Sequence, residues 1–314
     1  LFKDYLKIGR ATDLKNSRDR FIYRLLEIMP GVLAWTTLLA VIFLSWQLPV
    51  GVAIFIILFD SYWFLKTIYL SFHLRSSYKQ MMKNFRINWL DKLNQLPNSN
   101  YKLHISSWQE IYHLIVLPVY KEELEVVSDC LENIVKSNYP KGRFIVVLAP
   151  EERGKNYTAN SIKEIENKFK DNFFKFITIW HPADILGEMA GKGSNIAWAG
   201  RRVKELIIDP LKIPYENIIT SVFDIDTNVP PNFFACLAYH YLTAEKPLRS
   251  SFQPIPIYTN NIWQAPVFSR VFAFSNTFWQ MMQQSRPERL VTFSSQSISF
   301  KALVEIDFWQ SNMV

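Results

Sequence analysis

From Ile28 to Leu48 the chain is almost uncharged and apolar, and after Pro49 a second apolar block runs to about Leu74, broken only by Asp60 and Lys66. Each block reaches the roughly 20 residues that cross a bilayer. The two blocks read as transmembrane helices joined by a tight turn around Gln47 to Gly51, with a buried helical hairpin of a soluble protein as the alternative. The turn carries no Lys or Arg, whereas Arg18, Arg20 and Arg24 precede the hairpin and Arg75, Lys79, Lys83 and Arg86 follow it. Basic residues concentrate on cytoplasmic flanks, so the hairpin is expected to enter and leave on that side of an inner or plasma membrane, with everything from Arg75 onward cytoplasmic. A cleaved signal peptide fits poorly, because the apolar region is too long and lacks a small-residue cleavage site. Asp60 would be costly facing lipid and is expected to turn to protein or lie near a headgroup boundary.

Of the 314 residues, 49% are hydrophobic and 15% aromatic, with only nine Gly. That composition suits a membrane portion joined to a packed domain. The net charge of +7 does not point to nucleic acid, since the basic residues cluster around the apolar blocks, as expected near anionic lipid, and no nucleic-acid motif occurs. Cys130 and Cys236 stand in unrelated contexts and no Cys/His spacing suits zinc, so a reducing compartment is expected. The chain starts at Leu1 and stops at Val314 shortly after an apolar stretch, and it is expected to be a fragment of something longer.

Four segments follow. Residues 1–27 form a basic amino-terminal segment that includes Lys3, Lys7, Arg10 and Lys15, and residues 28–74 form the hairpin. Residues 75–100 place Tyr78, Met81, Met82, Phe85, Trp89, Leu90 and Leu93 near helical spacing among Lys and Arg. This stretch is either an interfacial helix lying on the membrane or a linker helix packed on the next domain. Pro97-Asn98-Ser99-Asn100 marks the boundary, after which residues 101–314 alternate short apolar runs with amphipathic segments. That alternation predicts an α/β domain with a largely parallel sheet. The strands are expected at His113–Val119, Arg143–Ala149, Phe174–Trp180 and Ile218–Phe223, with helices near 122–137, 158–170 and 194–207. Ligands of such sheets bind beyond the carboxyl ends of the strands.

Those ends carry the chemistry. Ile218 to Asp226 is a β-branched run that delivers Asp224 and Asp226 to the sheet rim, two hard oxygen donors suited to a divalent cation. Ile115 to Glu123 stops at Pro118 and then offers an aromatic face, Tyr120, and the acids Glu122 and Glu123 at a helix start. Such a set could hold a flat heterocycle and a donor-rich ring edge. Between them, Gly191-Lys192-Gly193-Ser194-Asn195 places a cation at a helix start, a favourable place for an anion.

Together these motifs, in this order and at this separation, resemble the family 2 glycosyltransferases, whose first strand reads V-I-I-P-x-Y-N-E and whose fourth supplies a D-x-D. The resemblance covers roughly residues 112–310. It implies a GT-A (Rossmann-like) fold, a mixed and mostly parallel sheet flanked by helices, here preceded by the two-helix hairpin. It further implies that Pro118, Tyr120 and Glu122 line a nucleoside site, that Lys192 lies near the donor diphosphate, and that Asp224 and Asp226 contact the sugar nucleotide and its Mg²⁺ or Mn²⁺. The implied activity is membrane-bound inverting hexosyl transfer from a nucleotide-diphosphate sugar, UDP-sugar favoured, to a glycan or lipid-linked acceptor.

The chain departs from that pattern in places. Ala149-Pro150-Glu151-Glu152 stands where an Asp follows the second strand, which makes Glu151 the candidate nucleobase contact, and Asn195 follows Lys192 sooner than the pattern has it. The acid pair that supplies the catalytic base is absent, as is the Q-x-x-R-W box. Glu305 and Asp307 lie just before the place of that pair, so the base is expected beyond Val314. A nucleotidyltransferase and a non-catalytic membrane scaffold are the alternatives.

A Walker loop is excluded by the three residues between Gly187 and Gly191 and by Gly193 after Lys192. No G-x-S-x-G hydrolase elbow occurs. His181 and His240 read as a satisfied strand-end residue and a core or rim residue. Gln253-Pro254 and Asn260-Asn261-Ile262-Trp263 resemble the family's region behind the donor site. The aromatics from Trp263 to Met282 suit a membrane-facing helix or plain core, with core favoured.

Overall fold

The computed structural model describes residues 8–260, 262–286, 288, 290–292 and 294–311. Of the residues named above, Leu1, Lys3, Lys7, Asn261 and Val314 lie outside them. The chain divides into two compact units, residues 1–80 with 281–287 and residues 81–280 with 288–314.

The first unit is built on α1 (Ser17–Gln47) and α2 (Pro49–Arg86). Asn16 starts α1 by accepting the Arg18 N–H on its side chain, and Pro49 opens α2 where a missing N–H leaves no bond unmade. Their 31 and 38 residues correspond to about 46 and 57 Å at 1.5 Å per residue, more than the hydrocarbon thickness of a bilayer. Both helices are long and apolar enough to cross a membrane, and none of the apolar window of either is buried. A soluble hairpin would bury one face. Asp60 is exposed on α2.

The stretch expected as one helix within 75–100 is divided. α2 continues through Arg86, and Asn88 then caps a separate α3 (Trp89–Gln95) by accepting the Asp91 N–H. Trp89 and Leu93 on α3 are buried. This short helix therefore packs on the core of the second unit.

The second unit holds a six-stranded sheet in the order β3-β2-β1-β4-β6-β5. Its strands are β1 (Tyr112–Val119), β2 (Phe144–Pro150), β3 (Lys175–Thr178), β4 (Ile218–Val222), β5 (Ser251–Phe252) and β6 (Gln296–Ser299). β3, β2, β1 and β4 are mutually parallel and β6 runs against both β4 and β5. The result is the expected mixed, mostly parallel sheet flanked by helices. β1, β2 and β4 are β-branched runs buried on both faces, the usual signature of central parallel strands.

Helices cover both faces. On one lie α3, α4 (Leu124–Val135), α5 (Lys155–Phe169) and α7 (Phe233–Thr243), packed through Val127, Leu131, Ile162, Phe234 and Tyr241 against Ile115, Leu117, Val146 and Leu148. On the other lie α6 (Lys192–Val203), its continuation as a π-turn over Lys204–Ile208, and α9 (Phe300–Glu305). Ile196, Ala199, Val203 and Phe300 there meet Leu114, Val116, Ile145 and Val147. α8 (Val267–Gln284) completes the elements.

Two expectations are corrected. β6 was not foreseen in the sequence, because Gln296-Ser297-Ile298-Ser299 reads as polar. Yet Ser297 and Ser299 are fully buried, and Ser297 hydrogen-bonds Ser221 on β4 at 2.7 Å. The aromatics of 263–282 are not core: Trp263, Phe268, Phe272, Phe278 and Trp279 are all exposed.

Candidate functional site

In the order β3-β2-β1-β4 the chain leaves β1 toward β2 and enters β4 on the opposite side, so the connections after β1 and β4 diverge. Such a switch point opens a crevice outside the carboxyl ends of the strands, the place where open α/β sheets bind ligands. The register decides what faces that crevice. β1 and β4 are last paired at Val116 and Val222, and Phe223 donates back to the Val116 carbonyl. Continued two residues, the register brings Asp224 abreast of Pro118. Pro118 lies beyond the last β4 pair, where its missing N–H leaves no ladder bond unmade on that side.

On the other side Glu151 donates its N–H to the Val119 carbonyl and bridges to His181, so Tyr120, Glu151 and His181 form one row across the ends of β1, β2 and β3. Glu151 is buried and ion-paired with Arg153. The Arg153 guanidinium sits 5.3 Å from the centre of the Tyr120 ring, and the Lys121 ammonium lies 4.9 Å from the same ring. A half-exposed aromatic ring beside a buried carboxylate can take the face and the N–H edge of a nucleobase.

Glu122 has a local task. Its carboxylate accepts the Tyr120 and Lys121 N–H groups at 2.6 and 3.1 Å and fixes the turn that presents Tyr120. Gly154 is required by the same turn, since a Cβ there would lie 2.0 Å from the Tyr120 carbonyl oxygen.

At the far side of the crevice, Lys192 in the first turn of α6 is ion-paired with Asp224 and donates to the Ser294 hydroxyl at 2.9 Å, while Ser294 donates to the second Asp224 oxygen. The pair is more than a third exposed. It therefore adds little to folding stability, and its consequence is to hold a cation at a helix start in the crevice. Asn195, one turn on, donates to the Ala149 carbonyl at 2.7 Å and so ties α6 to the end of β2, a structural role that accounts for its early place after Lys192. The Ser194 hydroxyl donates to the Met189 and Gly191 carbonyls and so ties the first turn of α6 to the loop before it.

Asp226 is exposed, and its carbonyl accepts the Asn260 amide at 2.6 Å. Tyr258 lies nearby: burial, with the charges of Asp224 and Asp226 adding to it, holds its phenol above the ordinary value. Burial, with Asp226 again adding, pushes the Cys130 thiol up to about 12, and burial alone does the same for Cys236. Both are free, inert cysteines.

The side chains alone do not fit a resident Mg²⁺ or Mn²⁺. Both Asp224 oxygens are engaged, one by a cation, and two carboxylates fall short of six oxygen ligands. Among the described residues no three His, Cys, Asp or Glu side chains come together in a way that could hold a metal ion.

The structure thus brings Lys192 to Asp224 and Tyr120 to Glu151, and register sets Asp224 beside Pro118. Arg153 and Ser294 were missed in the sequence. Arg153 carried one signal, a cation two residues from a strand-end acid, whereas Ser294 is far from its partners in the chain. His181 is buried and meets Glu188 at 3.0 Å, the satisfied strand-end histidine expected, and His240 packs at the rim against Trp89.

No family model matches this chain, and no curated protein matches it. Among solved structures, a mannosyltransferase from Pyrobaculum calidifontis, PcManGT in complex with GDP-Man and Mn²⁺, is 12% identical, with a TM-score of 0.43, over 78% of this chain and 58% of its own. S. aureus TarS residues 1–349 in complex with UDP-GlcNAc is 11% identical, with a TM-score of 0.39, over 63% of this chain and 48% of its own. Mouse xyloside xylosyltransferase 1 in its apo form is 14% identical, with a TM-score of 0.29, over 62% of this chain and 69% of its own. The chain therefore spans about half the length of the first two.

Proposed function

We propose that this chain is a membrane-anchored glycosyltransferase that faces the cytoplasm and uses a nucleotide-diphosphate sugar, UDP-sugar favoured. The observation that carries the reading is the pairing, at one switch-point crevice, of a cation on a helix start with an aromatic ring beside a buried carboxylate. Lys192 and the free N–H groups of α6 suit a diphosphate. Tyr120 and the Glu151–Arg153 pair suit a nucleobase held at the other end.

In this reading Lys192 exchanges part of its hold on Asp224 for the diphosphate and stabilises the charge that builds on the departing nucleotide. Asp224 and Asp226 would share Mg²⁺ or Mn²⁺ with phosphate oxygens, which supply the donors missing from the protein. Transfer inverts the anomeric carbon, and a carboxylate accepts the proton of a glycan or lipid-linked acceptor. Orientation at the inner or plasma membrane follows from the basic flanks of α1 and α2.

Calorimetry on the purified chain tests the reading with UDP, GDP and their sugar conjugates, each with and without Mn²⁺. Saturable binding of a nucleoside diphosphate is expected. A folded sample that binds none of them would overturn the assignment.

A further inference from the structure

α8 is built inside out. Its polar residues face its own protein: Arg270 donates to the Ala265 carbonyl, Asn276 to the Tyr258 hydroxyl and Thr277 to the Pro256 carbonyl, at 2.8, 2.8 and 2.9 Å. From Val267 to Trp279 its large apolar residues face outward, with Phe268 81% exposed, Phe272 75%, Val267 66% and Val271 59%. Phe278 and Trp279 continue the exposed face. A surface helix in water shows the reverse pattern. Neighbouring outward positions carry only Ser269 and Ser275, with no Asp, Glu or Lys between Val267 and Trp279. A contiguous exposed patch of this kind marks a partner that is not water.

We infer that the Val267–Trp279 face of α8 lies in the interfacial layer of a lipid bilayer. The occupant is argued from the chain itself. α1 and α2 are bilayer-length helices with their apolar side chains fully exposed, so lipid is the apolar phase this chain meets, and the inference rests on that membrane reading. The uncharged outward face is rich in Phe and ends at Trp279, the chemistry of a helix seated between headgroups and acyl chains. α8 is 18 residues long and is tied to its own protein along one side, so it lies on the membrane and does not span it.

The test uses the full chain in phosphatidylethanolamine/phosphatidylglycerol nanodiscs, a lipid-soluble carbene photoprobe and residue-level mass spectrometry. Phe268, Val271, Phe272 and Phe278 are expected to be labelled at the level of α1 and α2, with the exposed residues of α5 unlabelled. Phe268→Glu with Phe272→Glu, both exposed positions that should leave folding intact, is expected to abolish the α8 label and spare that of α1 and α2. Labelled α1 and α2 beside an unlabelled α8 would overturn the inference alone, whereas three unlabelled helices would overturn the membrane reading as well. A disulfide-linked dimer formed by Phe272→Cys would show that a second copy covers the face and would also overturn it.

Discussion

Lys192, in the first turn of α6, and Asp224, just past the end of β4, are ion-paired across the switch-point crevice, with Ser294 bonded to both. Neither partner is buried, so the pair is not there to hold the fold together. It stores a positive charge beside a helix start and a negative charge beside Asp226, ready to be redistributed by an anion or a cation.

Lys192→Met is accordingly expected to weaken nucleoside-diphosphate binding and to leave the melting temperature almost unchanged. Hydrogen bonds to charged groups are worth about 1.5–3 kcal/mol, so the loss should be roughly ten- to a hundred-fold in Kd by calorimetry. Nucleoside binding without phosphates should change little, because Tyr120 and Glu151 stand on other strands. An equal loss for nucleoside and diphosphate would show that Lys192 supports the whole crevice and does not act on the phosphates.

The same pair predicts how metal behaves. Mn²⁺ titrated alone should give no saturable signal in electron paramagnetic resonance, since a cation already occupies Asp224 and few donors remain. Adding UDP should bring Mn²⁺ binding into range. Lys192→Met should strengthen the binding of Mn²⁺ alone by removing the competing charge. Tight binding of Mn²⁺ to the unliganded wild type would contradict this account.

Gly154 offers a steric test of the nucleobase end. A Cβ there would meet the Tyr120 carbonyl carbon at 3.1 Å as well as its oxygen at 2.0 Å, and backbone cannot swing away as a side chain can. Gly154→Ala should displace the Tyr120 turn, cost about 1–3 kcal/mol of stability and abolish nucleotide binding. Gly142→Ala is the control, because nothing lies within 4 Å of its added Cβ. Thermal melts and calorimetry on the two variants should separate them clearly.

The central strands were legible because burial on both faces demands runs such as Ile145-Val146-Val147-Leu148, which few other structures tolerate. β6 was not legible, because its serines are buried only by virtue of partners on β4, a relation that no local pattern carries. The aromatics of α8 were misplaced for a related reason. Periodicity shows that an apolar face exists, and only the tertiary acceptors found by Asn276 and Thr277 decide which face turns inward. At the site, Asp224, Lys192, Tyr120 and Glu151 were each visible at a strand or helix end. The bonds that link Lys192 to Ser294 across a long stretch of chain were not.

His113 supplies a pH test of the core beneath the site. It lies on β1, fully buried among Tyr139, Phe144 and Phe234, and burial pushes its imidazole pKa from 6.5 down to about 3. Between those two values the unfolded chain binds a proton that the folded chain refuses. Stability therefore falls as the pH drops below 6.5, by about 1.4 kcal/mol per unit for this group, and the loss levels off near 3. His113→Leu removes the titration while keeping an apolar side chain in the pocket. Urea melts in detergent at pH 7.5 and pH 5 should show a smaller acid-induced drop for the variant than for the wild type, since carboxylates elsewhere contribute equally to both. Equal drops would mean that His113 takes up its proton in the folded state and that its pocket admits water.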